Sequence, residues 1–301
     1  MATASADIRR ARPMLGTFVE IEVAAASRSM TAIDAAFEAV AEVHRLMSFH
    51  ASDSDVSRLN REAWLLPTVV HPWTFRVLET AVEMHRRSNG SFDIAVAPAL
   101  QTMGLLPTVS GNSAIVRGAR LPDAIELLPG YAVRFRRADI AIDLGGIAKG
   151  FAVDRALEVL RGFGVECGLV NAGGDLAAFG AEPQAIHIRH PRNPGEVVCR
   201  VEICNEALAS TARRFDPFDT AETASSAVID PLTDQPPRLI DGTTVRAPSC
   251  MIADALTKVV MISGADAGGL LERYEAGALM ISRDGDLHIT SNLHHVINLA
   301  A

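Results

Sequence analysis

Two glycine-rich turns, each directly behind an apolar stretch and separated by one helical pattern, constrain this chain more than any other feature. The first lies in "IAIDLGGIAKG" at 140–150 and the second in "LVNAGGDLAAFG" at 169–180. Ile140 and Ile142 read as the end of a buried strand, which puts Asp143 at its tip. Gly145 and Gly146 allow close backbone approach and unusual dihedral angles. The amides that open the following helix have no intrahelical partners and favour an anion, to which Lys149 adds a positive charge. Two readings compete: a strand–turn–helix corner with Asp143 as a cap, or a phosphate cradle. In the second turn Asn171 and Asp175 are polar groups in an apolar run, and each needs a partner if buried. That turn is either an ordinary tight turn or a backbone wall pressed against a ligand. One such turn is common in proteins; two this close together are less so.

The rest of the chain supplies a frame for these turns. The helix between them runs from about Ala148 to Leu160 and closes toward Gly162 and Gly164. "TFVEIEVAA" alternates apolar and polar residues as a strand does. "TAIDAAFEAVAEVHRLMSFH" has Ile33, Phe37, Val40 and Met47 near helical spacing, with Ser29 or Thr31 as its cap. "ASDSDVSRLNRE" reads as a loop with room for a short helix. "HPWTFRVLETAVEMHRRSNG" is a second long helix, with Pro72 at its start and Asn89-Gly90 at its end. "AIHIRH", "EVVCRVEIC", "ALAST" and "SAVID" are strand-like. "PSCMIADALTKVVMISG" and "DAGGLLERYE" are helical, and "ALMISRDGDLHIT" is a hairpin turning at Asp284-Gly285. Helices and strands alternate irregularly, so the fold class is α+β, mixed helices and sheet.

Composition bounds the possibilities. The chain has 301 residues, 49% hydrophobic and 21% charged. That is a globular composition, long enough for one large domain or two interleaved lobes. The formal net charge of -8 argues against nucleic-acid binding through a broad basic face. No segment approaches the roughly 18 unbroken apolar residues of a membrane span. The start of the chain has no apolar run of signal-peptide length, so a cytoplasmic location is expected. Cys167, Cys199, Cys204 and Cys250 have no CxxC spacing and read as buried free thiols. Gly16 and Thr17 open the first strand, and Asp93 lies just past a helix end. Asp254 sits on a helix between Ala253 and Ala255, where it is either half of a salt bridge or a hard-cation ligand with room around it.

Taken in order, "RPMLGTFVEI", "LMSFHASDSDVSRLN", "NGSFDIAVAPAL", "IDLGGIAKGFAVDRA", "LVNAGGDLAAFG", "ALAST", "VIDPLT" and "PSCMIADALTKV" resemble the FAD:protein FMN transferase family, the ApbE-type flavin transferases. The resemblance runs from about Arg12 to Ser263. It implies a single ApbE-like domain with interleaved lobes at 12–301, behind an N-terminal tail at 1–11. The implied activity cleaves the FAD pyrophosphate and joins FMN through a phosphoester to a threonine or serine of an acceptor flavoprotein, releasing AMP with the help of Mg²⁺. The implied FAD contacts are Leu15, His50, Ser91, Phe92, Asp93, Asp143, Lys149 and Val228. The implied metal ligands are Asp254, the backbone oxygen of Gly146 and Thr257, and the implied catalytic residues are Asp254 and Lys258.

Four positions depart from the family pattern. His50 stands where the family often has tyrosine. Ala227 replaces a histidine associated with deprotonating the acceptor. Lys258 replaces a threonine four residues after the metal-binding aspartate, and Leu232-Thr233-Asp234 replaces arginine-threonine-glycine. Thr257 lies on nearly the same helical face as Asp254 and can compensate, or Lys258 can supply a fixed cation where the metal would sit. An FAD-binding protein with weak or no transfer, either a flavin carrier or a metal-dependent FAD pyrophosphatase, and a scaffold module without flavin are the alternatives.

Overall fold

The computed structural model describes residues 7–24, 29–107, 124–213 and 227–299. The N-terminal part runs β1 (Asp7–Met14), β2 (Thr17–Ala24), α1 (Ser29–Met47), α2 (Asp55–Glu62), β3 (Thr68–Val69), α3 (Pro72–Arg87), α4 (Ala97–Thr102), β4 (Ile125–Leu128) and β5 (Ala132–Phe135). The central part is α5 (Ala148–Gly162), β6 (Gly168–Ala172), β7 (Asp175–Phe179), β8 (Gln184–Arg189), β9 (Val197–Ile203) and β10 (Glu206–Ala212). The chain then forms β11 (Ile240–Ala247), α6 (Cys250–Ser263), α7 (Gly268–Arg273), β12 (Gly277–Ser282), β13 (Leu287–Ile289) and β14 (Ile297–Leu299). The fold is mixed α+β.

An eight-stranded sheet in the order β1-β2-β6-β7-β10-β11-β12-β13 forms the middle layer, and all its neighbours pair antiparallel. Helices α1, α5 and α6 cover one face, where Ala177, Phe179, Ala207 and Ala209 join the main core. A three-stranded sheet, β14-β9-β8, covers part of the other face. There Leu176, Ala178 and Leu208 meet Ile188, Cys199 and Val201 in a second core. Strand β7 is therefore buried at every position, which is why "DLAAF" shows no polar alternation. A lobe made of α2, α3, α4 and the small sheet β3-β5-β4 is inserted between α1 and α5.

Several expectations change. Asp7–Ala11, read as part of an N-terminal tail, pair with β2 in strand β1. Ser29 and Thr31 lie inside α1 rather than capping it, and the Ser29 hydroxyl donates to the Ala24 carbonyl. "ASDSDVSRLNRE" contains a full helix, α2, because the Ser54 hydroxyl accepts the Ser57 N–H and caps it. "SAVID" is no strand over its described residues, which carry only an isolated bridge between Asp230 and Gln235. Residues 140–144 are extended but unpaired with any strand. Their backbone bonds go instead to the Asn60 carboxamide, which grips both the N–H and the C=O of Ile142, and to the Ile94 carbonyl, which accepts the Asp143 N–H. The four cysteines are free thiols, with Cys199 and Cys250 buried and Cys167 and Cys204 partly so.

Helices α5 and α6 cross in close contact. A Cβ on Gly150 would stand 2.2 Å from the Cys250 carbonyl oxygen, so only glycine lets the two backbones meet. Each helix also supplies an anion to the other's first turn. Asp254 of α6 accepts the Gly150 N–H at 3.0 Å. Asp154 of α5 accepts the N–H groups of Cys250 and Met251 at 2.8 and 2.9 Å. These are donors that a helix start leaves without intrahelical partners.

Gly150→Ala should destabilise the fold by about 1–3 kcal/mol or more, because neither backbone can yield. Urea unfolding checks this, and an unchanged midpoint would mean the helices slide apart at no cost. A second prediction concerns pH. Burial pushes the Asp154 carboxyl up to about 6, against the pull of the Met251 and Cys250 N–H groups. In the unfolded chain it titrates near ~4. Between these values the folded state holds the extra proton, so this contribution is fully present below about pH 4 and lost as pH rises through about 6. Wild type should therefore gain stability relative to Asp154→Asn as pH falls from neutral. A pH-independent difference would remove the role of this titration.

Candidate active site

Between the inserted lobe and the edge of β10 and α6 lies a cavity of about 430 Å³. Its walls include the Ser91–Ile94 turn, the 143–149 loop, Ser210–Ala212 at the end of β10, and Ala227–Ile229. Gly173 of the second glycine turn, Lys258 and apolar residues of and after α4 also line it. Both glycine-rich turns thus face one cleft. Of the residues singled out from the sequence, Ser91, Phe92, Asp93, Asp143, Gly146, Lys149, Val228 and Lys258 line it, as does Ala227. Leu15 does not; it forms the turn between β1 and β2 with φ of 56°. His50 is exposed and outside the lining, though near enough for its charge to act on Asp143. Asp254 and Thr257 are fully buried behind the wall.

The Ser91–Asp93 turn is held by the end of α3. The Ser88 hydroxyl accepts the Phe92 N–H at 3.0 Å, and Ser91 shares a 2.9 Å hydroxyl contact with Ser263. Asp93 accepts the Ala95 N–H at 2.7 Å and lies 3.3 Å from His85 Nδ1. In the 143–149 loop, Asp143 caps its own turn by accepting the Gly145 N–H at 3.0 Å. It does not cap α5, whose N-cap residue is Ile147 with no side-chain bond. Burial pushes the Asp143 carboxyl up, offset in part by the Gly145 N–H. Gly145 and Gly146 keep ordinary negative-φ backbone rather than the left-handed conformation. Their value is close approach: a Cβ on Gly145 would lie 2.8 Å from Asp143 Oδ2, and one on Gly146 would lie 3.4 Å from Lys258 Cε. Asn171 finds its partner inside the second turn, where it accepts the Gly174 N–H at 2.9 Å.

Behind the cleft runs a row of alternating charges. Lys149 Nζ pairs with Asp175 and stands 3.9 Å from Asp254 Oδ2. Lys258 Nζ pairs with Asp254 Oδ1 and lies 3.3 Å from Thr211 Oγ1. Burial works to raise the Asp254 carboxyl, but the Lys149 and Lys258 ammonium groups outweigh it and hold it below the usual carboxylate range. Burial and the negative charge of Asp254 push Asp175 the other way, against the pull of Lys149. Burial disfavours the Lys149 ammonium, yet Asp254 and Asp175 more than compensate and raise its pKa.

Thr257 joins this row through its hydroxyl. It donates to the Asp254 carbonyl at 2.7 Å and lies 2.7 Å from Thr211 Oγ1. A hydroxyl has one proton, so Thr211 donates to Thr257 and accepts from Lys258. Thr257 is thereby turned along its own helix and toward β10, not toward the Asp254 carboxylate. Thr211 is a cleft residue that sequence reasoning missed. Its only signal was its place at the end of the strand-like "ALAST".

With this geometry in view, family comparison is decisive. The ApbE family model matches residues 15–280, and the chain belongs to that family. The FAD:protein FMN transferase of Vibrio cholerae is 28% identical over 91% of this chain and 87% of its own length. That of Treponema pallidum is 26% identical over 91% and 84%. Among solved structures, the flavin transferase ApbE from Vibrio cholerae superposes with a TM-score of 0.84, at 24% identity, covering 97% of this chain and 99% of that one. The ApbE protein from Thermotoga maritima gives 0.86 at 23% identity over the same shares. The structural matches establish a common fold. No helix among the described residues is long and apolar enough to cross a membrane.

Asp254→Ala should cost about 3–5 kcal/mol of stability, since it leaves the Lys258 ammonium without its carboxylate and the Gly150 N–H without an acceptor. Asp254→Asn, which keeps an acceptor for Gly150, should cost less. Equal losses in chemical denaturation would show that the backbone bond contributes nothing.

Proposed function

We propose that this chain is an FAD:protein FMN transferase. The observation that carries the reading is the single cleft onto which both glycine-rich turns of an ApbE-family chain open, with Asp143, Lys149 and Lys258 on its walls. Its volume falls within the range of small-molecule sites. In the proposed reaction the hydroxyl oxygen of an acceptor threonine or serine attacks the FMN-side phosphorus of FAD. The P–O bond to the AMP half breaks, and AMP departs with the bridging oxygen. Ammonium groups and backbone amides at the cleft stabilise the charge on the phosphoryl oxygens. Ala227 offers no proton acceptor, so we assign the hydroxyl proton to Asp143, a cleft carboxyl whose proton affinity burial has raised. The acceptor is a flavoprotein with an exposed threonine or serine motif.

The family resemblance also implies Mg²⁺ at Asp254, Gly146 and Thr257. The residues present do not fit that ion. Both carboxylate oxygens of Asp254 are engaged, one by Lys258 and one by Gly150, and the Thr257 hydroxyl faces Thr211. No step above passes through a metal.

A second reading is favoured by Ala227: with no histidine on that wall, water can replace the acceptor and the protein hydrolyses FAD to FMN and AMP. Incubation of the full chain with FAD and a threonine-motif peptide, followed by mass spectrometry, separates the two. Transfer adds the FMN mass to the peptide and releases AMP. AMP without labelled peptide indicates hydrolysis, and neither product rejects both. Asp143→Asn should slow transfer by about 100-fold or more and weaken FAD binding by about 1–3 kcal/mol, read by flavin fluorescence. If both stay at wild-type values, Asp143 only caps its turn.

A further inference from the structure

We propose that the Lys258 ammonium is the resident cation of the cleft, and that the diphosphate of the bound dinucleotide is held there without a divalent metal ion. The inference rests on the reading of the cleft as an FAD site. Its foundation is the path of one side chain. The Lys258 stem passes alongside Gly146, with Cε, Cγ and Cδ at 3.4, 3.6 and 3.8 Å from where a Cβ on that glycine would be. Its Nζ then closes on Asp254 Oδ1. The stem and head thus fill the space between the loop backbone and the one fully buried carboxylate of α6.

The charges around it agree. Asp175, Lys149, Asp254 and Lys258 sum to zero. A divalent ion would meet a neutral cluster with an ammonium already on its carboxylate. Magnesium holds near-ideal octahedral oxygen coordination with one or two carboxylates, and here one oxygen of Asp254 faces the Gly150 N–H and the other the Lys258 ammonium. Lys258 also reaches the cleft, which Asp254 does not: its side chain is 16% exposed and lines the cavity. An ammonium has three donors. Among the described residues two are spent, on Asp254 and Thr211. The third is available for a diphosphate oxygen, a charge-assisted hydrogen bond.

The test uses the metal-stripped full chain, Lys258→Thr and Lys258→Met. Mn²⁺ is titrated in the absence of nucleotide and followed by electron paramagnetic resonance. Wild type should show no site tighter than millimolar. Lys258→Thr, which withdraws the charge and leaves an oxygen one turn from Asp254, should bind Mn²⁺ at least tenfold more tightly than wild type. FAD affinity is then measured by flavin fluorescence in EDTA and in magnesium. Wild type should be unchanged within about twofold. Lys258→Met, which keeps the stem and removes the charge, should lose at least tenfold in both conditions. Stoichiometric micromolar Mn²⁺ binding by wild type, or FAD binding that requires magnesium, overturns the proposal. So does wild-type FAD affinity in Lys258→Met. If a variant does not fold, the two wild-type measurements still decide. Failure of wild type to bind FAD in either condition instead rejects the reading of the cleft, while the Mn²⁺ titration judges the cation assignment by itself.

Discussion

The crossing of α5 and α6 over Gly150 sets the charged wall of the cleft. The missing Cβ brings two backbones into contact, and each helix start then borrows a carboxylate from the other: Asp254 for Gly150, Asp154 for Cys250 and Met251. These bonds fix Asp254 in one orientation with zero exposure. A carboxylate so placed must be paired, because an isolated buried charge is prohibitively costly. Lys149 from α5 and Lys258 from α6 answer that demand. The helices thus dictate the position of both ammonium groups that face the cleft.

The row Asp175–Lys149–Asp254–Lys258 trades stability for definition. Burying ions rarely improves on well-packed apolar residues, but breaking such a set strands its neighbours. Asp175 Oδ1 has no hydrogen-bond partner among the described residues. The two carboxyls shift in opposite directions: burial and the nearby charge of Asp254 raise the proton affinity of Asp175, whereas the Lys149 and Lys258 ammonium groups overcome burial and lower that of Asp254. Asp254 lies between two ammonium groups, whereas Asp175, at the end of the row, has one. The Thr211–Thr257 hydroxyl relay ties the other end of the row to β10.

How much of this was legible before the structure varied with the kind of signal. Helix α1 was readable because Ile33, Phe37 and Val40 repeat at helical spacing, and α3 because Pro72 marks its start and Asn89-Gly90 its end. The 277–289 hairpin was readable from Asp284-Gly285. Segment 140–144 was misread as a strand because apolar alternation reports burial and not pairing. Its partner is the Asn60 side chain, 82 residues away from Ile142. Strands β3 and β11 escaped because their partners lie far away in sequence, and the β4–β5 hairpin escaped because its strands are only four residues long. At the cleft, the glycine turns and Asp143, Lys149 and Lys258 were found from motif. Thr211 was not, because a threonine at a strand end has no spacing that marks it. The state of Thr257 was equally hidden, since helical position says which face a hydroxyl shares but not where its proton goes.

The electrostatics of the whole chain sharpen the role of Lys258. With a net charge of -8, the protein's long-range field repels a dinucleotide diphosphate, and salt screens that repulsion beyond roughly 8–10 Å. Capture must therefore come from short-range donors. Lys149 and Lys258 are each paired with a carboxylate, so neither projects a full charge far into the cleft. What they deliver is directional: an N–H at hydrogen-bond distance, on a side chain whose other donors are already fixed. A bound metal would supply a larger charge but would come and go with its concentration. A lysine anchored on Asp254 is always present, and its position is set by the same helix crossing that holds the fold together. In the proposed diphosphate site, ligand binding and helix packing would then depend on one carboxylate, so a change that loosens α5 from α6 should be felt first at the ligand.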